Sequence, residues 1–301
     1  MILIKNYQDN LIDEFCNKNG VKLINNNGSI GEYISKGINN SKGEIVAFLD
    51  DDDEWVYNRL EHIIKIFSSQ NSIGLYKNQI QFVDEVGNKI KYKRLVGGRQ
   101  ITKRRQVFVS NGKKNTSITH LMKLNSDFNI SSMAFKREIL VNNLEIIANI
   151  KGMTDTFLFW ISFISNYDIY VDYESLTRYR VHTKNTSRSN SIENDFKRQI
   201  EALNLLKEDI LYLSKNCGKI VVNSLLFTMR GWVELLELEY LSIYDMLTNN
   251  NKKKVIKNLV DLIRYPIKYN NVLRSRLLLF SFLYILNKSI ALNLYTVLRK
   301  G

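Results

Sequence analysis

Five apolar residues, Ile45, Val46, Ala47, Phe48 and Leu49, run without a spacer into Asp50, Asp51, Asp52 and Asp53, followed by Glu54 and Trp55. A short continuous apolar run rich in β-branched and aromatic residues reads as a strand buried on both faces, the kind found in parallel sheets. Open α/β sheets bind their ligands just past the carboxyl ends of such strands, which is where the four acids stand. Adjacent carboxylates repel one another, at a cost in stability unless a cation or a set of donors compensates. Oxygen-only ligation suits a hard divalent cation, Mg²⁺ or Mn²⁺, which commonly also takes phosphate oxygens from a substrate. A solvated acidic loop is the plainer alternative. The position at the mouth of the most apolar strand favours the ligand site.

The segments around this strand alternate. Residues 2–4 are strand-like, Leu11, Ile12 and Phe15 suggest a short helix running to Gly20, and residues 21–24 read as a second strand. After the turn signal Asn25-Asn-Asn-Gly28, Ser29 and Glu32 have the spacing of a capping box, and Ile30, Ile34, Gly37 and Ile38 share one helical face. Beyond the acids, Val56, Leu60, Ile63, Ile64 and Phe67 form a helical stripe, and residues 72–76 and 79–83 read as strands. Residues 89–127 have weak periodicity and many charges, as a loop region does. A strand over 130–135, a helix from Arg137, an aromatic helix over 157–164 and strands over 168–173 and 176–182 complete this part. From about residue 190 the pattern is helical throughout, with a stripe of Ile192, Phe196, Ile200, Leu203 and Ile210 and a second long helix over 219–247. The expected fold is α/β: a mostly parallel sheet with flanking helices over 1–189, then a helical region over 190–301.

Composition narrows the function. Two cysteines, Cys16 and Cys217, make neither a disulfide framework nor a zinc signature. With no secretory signal at the start, the expected setting is the reducing cytoplasm. The net charge of +13 is concentrated: residues 251–301 hold 11 Lys and Arg against Asp261 alone, and a second basic cluster lies within 89–105. No nucleic-acid-binding motif accompanies either patch, so nucleic acid is not an expected partner. The apolar run over 277–286 is too short to span a bilayer. Its basic flanks fit a helix lying in the membrane interface, with a helix packed on the first domain as the alternative. The interface reading places the protein peripherally at the inner face of the cell membrane.

Four segments, in order, resemble the family 2 glycosyltransferases of GT-A fold. Ser41-Lys-Gly-Glu-Ile-Val-Ala-Phe-Leu-Asp-Asp-Asp-Asp-Glu-Trp55 with Arg59 and Leu60 is similar to the segment carrying that family's DxD motif. Ile130-Ser-Ser-Met-Ala-Phe-Lys-Arg137 resembles its acceptor-side strand, Gly152-Met-Thr-Asp155 its Glu-Asp motif, and Tyr179-Arg-Val-His-Thr-Lys-Asn-Thr-Ser187 its closing segment. The resemblance implies a Rossmann-like fold and transfer of a sugar from a nucleoside-diphosphate sugar to a glycan or lipid-linked acceptor. On it, Asp52 holds the metal, Asp50 and Asp51 face the ribose and the metal's waters, and Asp155 is the base in an inverting reaction. Such chemistry needs a cation on the leaving pyrophosphate and a base on the acceptor hydroxyl. Asp155 also suits a helix N-cap, and both roles can hold at once. Arg180 and His182 are cationic or metal-binding candidates for the pyrophosphate, and a histidine at a strand end is as readily structural.

The chain departs from that family at three places. The family begins with a strand and a helix before the strand that residues 2–4 represent, a difference of about 30 residues, so the sheet is expected to be N-terminally truncated. Where the family carries an acidic pair after the next strand, this chain has Lys5 and Asn6, and Asn6 can hydrogen-bond a base or ribose without charge. Ile34 and Ser35 stand where Arg-Asn is usual, and Tyr57 where Pro is. A catalytically inactive binding or scaffold protein of the same descent is therefore the competing reading.

Overall fold

The computed structural model describes residues 1–90, 107–113, 120–121, 124–182, 192–216, 253, 256–257, 260, 271–291 and 293–294. The expected helix over 219–247 and most of the basic cluster within 89–105 lie outside them. The chain divides into two compact units, Met1–Gln81 with Gln100–Tyr179, and Phe82–Arg99 with Arg180–Gly301.

The first unit opens with the alternation read from the sequence: β1 (Ile2–Lys5), α1 (Asn10–Lys18), β2 (Lys22–Asn25), α2 (Ile30–Asn40) and β3 (Ile45–Ala47). Local chemistry sets these boundaries. Asp9 caps α1 by accepting from the Ile12 N–H at 3.1 Å, and Gly20, at φ +65°, supplies the left-handed residue just past its end. Ser29 caps α2 by accepting from the Glu32 N–H at 3.3 Å. Then follow β4 (Glu54–Trp55), α3 (Arg59–Ser69), β5 (Ile73–Val83), β6 (Val107–Val109), β7 (Met133–Lys136), α4 (Arg137–Val141), α5 (Leu144–Ala148), α6 (Thr154–Ile164) and β8 (Asp168–Arg180). The four strands expected over 72–83 and 168–182 are two long ones, β5 and β8. Asn78 and Asp172, residue types that favour turns, are buried here and bonded to Thr177 and Tyr76 of neighbouring strands, and the backbone continues through.

The sheet differs in two respects from a mostly parallel one with residues 45–49 at its centre. β1 and β2 pair in parallel as a separate two-stranded sheet, while the larger sheet runs β3–β7–β5–β8–β4 with β6 on β8. The pairs β3–β7, β5–β7, β4–β8 and β6–β8 are antiparallel. β3 is thus an end strand, paired with β7 alone among the described residues. Its residues are only half-buried and Leu49 is 49% exposed, whereas Leu75, Tyr76, Met133, Ala134 and Phe135 of β5 and β7 are sealed from solvent. An apolar run shows that a strand is fit for burial; which strand receives neighbours on both sides is a non-local matter.

Packing then places the elements that matter for function. α3 docks Ile63 and Phe67 against Ile73, Tyr76 and Ala134, while Leu60 and Ile64, expected on the same stripe, face outward. Buried Arg59 takes the inner face one turn earlier. α2 packs on α5 so closely that a Cβ on Gly31 would lie 2.2 Å from the Ile147 carbonyl oxygen. Ser35 donates to the Leu144 carbonyl at 3.3 Å. α6 is buried on every side from Phe157 to Phe163. Each such Phe or Leu contributes about 1.5–3 kcal/mol on burial, which anchors the helix that carries Asp155 in its first turn.

In the second unit, α7 (Ile192–Asn216) buries Leu203, Ile210 and Leu213, and α8 (Asn271–Leu286) carries the apolar run of the basic tail. Among the described residues no helix is long and apolar enough to cross a membrane.

Candidate active site

The chain leaves β3 and turns through the acids, with the Asp53 N–H donating to the Asp50 carbonyl at 3.3 Å. Asp50 and Asp51 are exposed, Asp52 is half-buried and Asp53 is buried. The turn is held from behind by the segment leading into β7. The Asp50 N–H donates to Ser131 Oγ at 2.9 Å, and the Trp55 indole N–H donates to the Ser131 carbonyl at 2.8 Å. Thr177 Oγ1 donates to that same carbonyl at 3.2 Å. The motif 130–137 therefore serves the acidic turn directly, through its second residue.

Asp155 comes to this place on α6. It is the second residue of the helix, not its N-cap, which is Met153. The Thr156 N–H donates to Asp155 Oδ1 at 3.0 Å and the Asn129 N–H to Oδ2 at 3.0 Å. Asn129 turns its side-chain amide the other way, donating Nδ2–H to Asp53 Oδ2 at 2.7 Å. One residue thus joins the acidic turn to the candidate base, two elements about a hundred positions apart in the chain.

The electrostatics record the crowding. The Asp50 carboxyl is raised to about 7, first by loss of surrounding water and then by repulsion from Asp53, Asp155 and Asp52, against a lowering bond from Ser131. Because Asp50 is exposed over much of its surface, the repulsion is the better-founded cause, and it shows that the four carboxylates share one field. Beneath them Lys77 is buried, donating to the Phe128 carbonyl at 2.7 Å and bonded to Ser132 Oγ. Burial pushes its ammonium down to about 7, opposed most strongly by Asp155. Arg59, sealed from solvent, stacks 4.3 Å from the Trp55 ring centroid and donates to Asn78 Oδ1 at 2.9 Å and to the Met133 carbonyl at 3.2 Å.

Among the described residues no three His, Cys, Asp or Glu side chains form a ready metal cage. That is compatible with Mg²⁺ or Mn²⁺ held by one or two carboxylates with water and substrate phosphate completing the shell. The crowded acids of residues 50–53 are a donor set of that kind.

The remaining expected residues lie elsewhere. Asn6 is exposed just past the carboxyl end of β1. Arg180 donates to the carbonyls of Asp84 and Glu85 at 3.2 and 2.8 Å, and half-buried His182 follows two residues on, both in the second unit. Asn129 and Lys77 went unmarked in the sequence. Lys77 carried a signal: a lysine directly after four residues of an apolar strand is buried only when held by partners. Asn129 carried none, since its left-handed backbone and two carboxylate partners come from tertiary contact.

The acidic turn at the end of β3 and the carboxylate on the first turn of α6 are thus joined through Asn129 within a mixed α/β fold. Residues 4–142 match the family model described as Glycosyl transferase family 2. Among solved structures, S. aureus TarS 1–349 is similar at 12% identity over 99% of this chain and 80% of that chain, with a TM-score of 0.47. No curated protein matches the chain.

Proposed function

We propose that the protein transfers a sugar from a nucleoside-diphosphate sugar to a glycan or lipid-linked acceptor, with inversion and with the help of Mg²⁺ or Mn²⁺. The observation that carries this reading is the meeting of the acidic turn with Asp155 through Asn129. Asp52, with Asp50 beside it, would hold the cation, which when bound supplies positive charge to the departing pyrophosphate. Asp50 and Asp51 face the donor's ribose, with Asn6 as a neutral hydrogen-bonding neighbour. Asp155 accepts the proton of the acceptor hydroxyl at one of its oxygens. Each oxygen keeps a lone pair after receiving one backbone N–H, so the group is oriented without being used up. Arg180 and His182 are proposed on the resemblance alone, as pyrophosphate and metal contacts.

The acceptor side of the proposal rests on α8. Leu279, Phe282 and Leu286 are 47, 59 and 66% exposed, while Ser281 and Tyr284 are buried. At the helical step of 3.6 residues per turn those three apolar residues share one outward face. With the basic excess of residues 251–301, that face fits an anionic membrane surface carrying a lipid-linked acceptor.

Two experiments test the reading. The full chain is incubated with Mn²⁺, a glycolipid extract as acceptor and a panel of UDP-, GDP-, ADP- and dTDP-sugars, and nucleotide release is measured. Release from one donor class is expected, and its absence across the panel overturns the enzyme in favour of the inactive binding protein. Flotation with phosphatidylserine vesicles is expected to carry the chain, and Phe282→Ser to weaken it about tenfold, the lower end of the effect of one buried Phe. Equal flotation with neutral vesicles rules out the charge contribution.

A further inference from the structure

Asn129 lies in a conformation that an L-residue adopts at a cost, φ +65° and ψ 98°, at the entrance to a short 3₁₀ turn, Ile130–Ser132. The residue is buried, and its side-chain Oδ1 has no hydrogen-bond partner among the described residues. Both features work against stability, and glycine would relieve both: it takes positive φ freely and has no amide to leave half-satisfied. What the arrangement achieves is directional. With this backbone twist, the main-chain N–H reaches Asp155 while the side-chain Nδ2–H reaches Asp53. The carbonyl is pinned in turn: it accepts from Ser132 Oγ at 2.6 Å and from the Ser132 N–H at 3.1 Å. Ser132 Oγ and the Phe128 carbonyl are both held by buried Lys77. The residue is fixed from below and divides its two donors between two carboxylates above.

We propose that Asn129 is a positioning residue for the transfer reaction, setting the acidic turn and Asp155 at a fixed separation. The proposal rests on the reading of those carboxylates given above. The donor's phosphates are held on one side of this tie and the acceptor hydroxyl is deprotonated on the other, so its length fixes the distance over which attack occurs. Placement errors of about 1 Å cost on the order of a hundredfold in rate. Lys77 is the second layer, acting on Asn129 through Ser132 and Phe128.

Three variants of the full chain test this, assayed by nucleotide release with Mn²⁺ and the donor found active in the panel. Asn129→Gly keeps the backbone N–H to Asp155 and deletes the amide to Asp53. It is expected to melt at or above the wild-type temperature, with kcat lowered about tenfold to a hundredfold and KM for the donor little changed. Asn129→Asp keeps the shape but replaces the donor with a carboxylate at neutral pH. Its turnover is expected to fall at least as far as that of Asn129→Gly, because a further carboxylate repels Asp53 and Asp155. Wild-type turnover in Asn129→Gly overturns the proposal. So does a loss of melting temperature with unchanged turnover per folded molecule. Asp155→Asn is the control: turnover equal to wild type there removes the reading of Asp155 as the base. With that control intact, a failure at position 129 belongs to this proposal alone.

Discussion

The acidic turn and the cations beneath it are treated in opposite ways. Asp50, Asp51 and Asp52 reach solvent and crowd one another, while Lys77 and Arg59 are buried and make their hydrogen bonds to neutral acceptors. A structure built for stability alone would set one group against the other, since a buried charge is costly unless paired. Instead Asn129, an uncharged residue, stands between Lys77's partners and the carboxylates. The difference teaches which charges are available. The acids stand at the surface, and the cations are committed to the scaffold under them. In those terms a substitution among the acids should change function and spare the fold, and one among the cations should do the reverse.

Asp155→Asn gives the largest expected effect. Its neutral amide preserves shape and cannot take the acceptor's proton, so transfer should fall by about 10²–10⁴, the usual contribution of a general base. Melting temperature and donor affinity should hold. Near-normal turnover would leave Asp155 as a structural acceptor for the Asn129 and Thr156 amides. Arg59→Ala should act on the other side of the comparison. It strands Asn78 Oδ1 and the Met133 carbonyl, removes the guanidinium from the Trp55 ring and opens a cavity, for a destabilisation of about 2–4 kcal/mol. Urea unfolding measures it. A variant with unchanged stability and lost activity would place Arg59 among the functional charges.

Asp52→Ala sharpens the same division. Because Asp52 is half-buried among like charges, its removal should leave stability unchanged or slightly raised. Calorimetry with Mn²⁺ and the active nucleotide should show metal-dependent binding lost. Equal binding in wild type and variant would move the cation to other ligands.

Part of this layout was legible in the residues and part was not. The run of residues 45–49 into four acids identified the strand and its charged mouth, and Ser29 with Glu32 marked the start of α2, because these are local relations of spacing. The same run suggested a central strand, yet β3 ends the sheet path with Leu49 half in solvent. Apolar character measures fitness for burial and carries no record of which neighbours arrive. Asp155 suits both base and cap in the sequence, and its position as the second residue of α6, after the cap Met153, removes the cap role. Asn129 was invisible because neither a backbone twist nor a partner 76 positions away has a sequence period.

The smallest effect concerns protons, and it tests both halves of the comparison in one titration. Asp50 is raised from 3.8 to about 7 in the folded chain. Between those values the folded state keeps a proton that the unfolded state has released, so this group's contribution to stability is full below about pH 4 and is lost as pH rises to about 7. Lys77 is lowered from 10.5 to about 7. Between about pH 7 and about pH 10.5 the unfolded state holds the extra proton, so this group's contribution is lost as pH falls to about 7 and recovers toward alkaline pH. The two groups together place a shallow minimum of stability near neutrality in the metal-free protein. Melting temperature measured against pH should show that minimum. Asp50→Asn should flatten its acid limb, and Lys77→Met its alkaline limb. Mn²⁺ competes with the proton for the acids, so it should raise the melting temperature more above pH 7 than near pH 5. A Mn²⁺ effect independent of pH would mean that the cation binds away from Asp50, and that the exposed acids are a solvated turn after all.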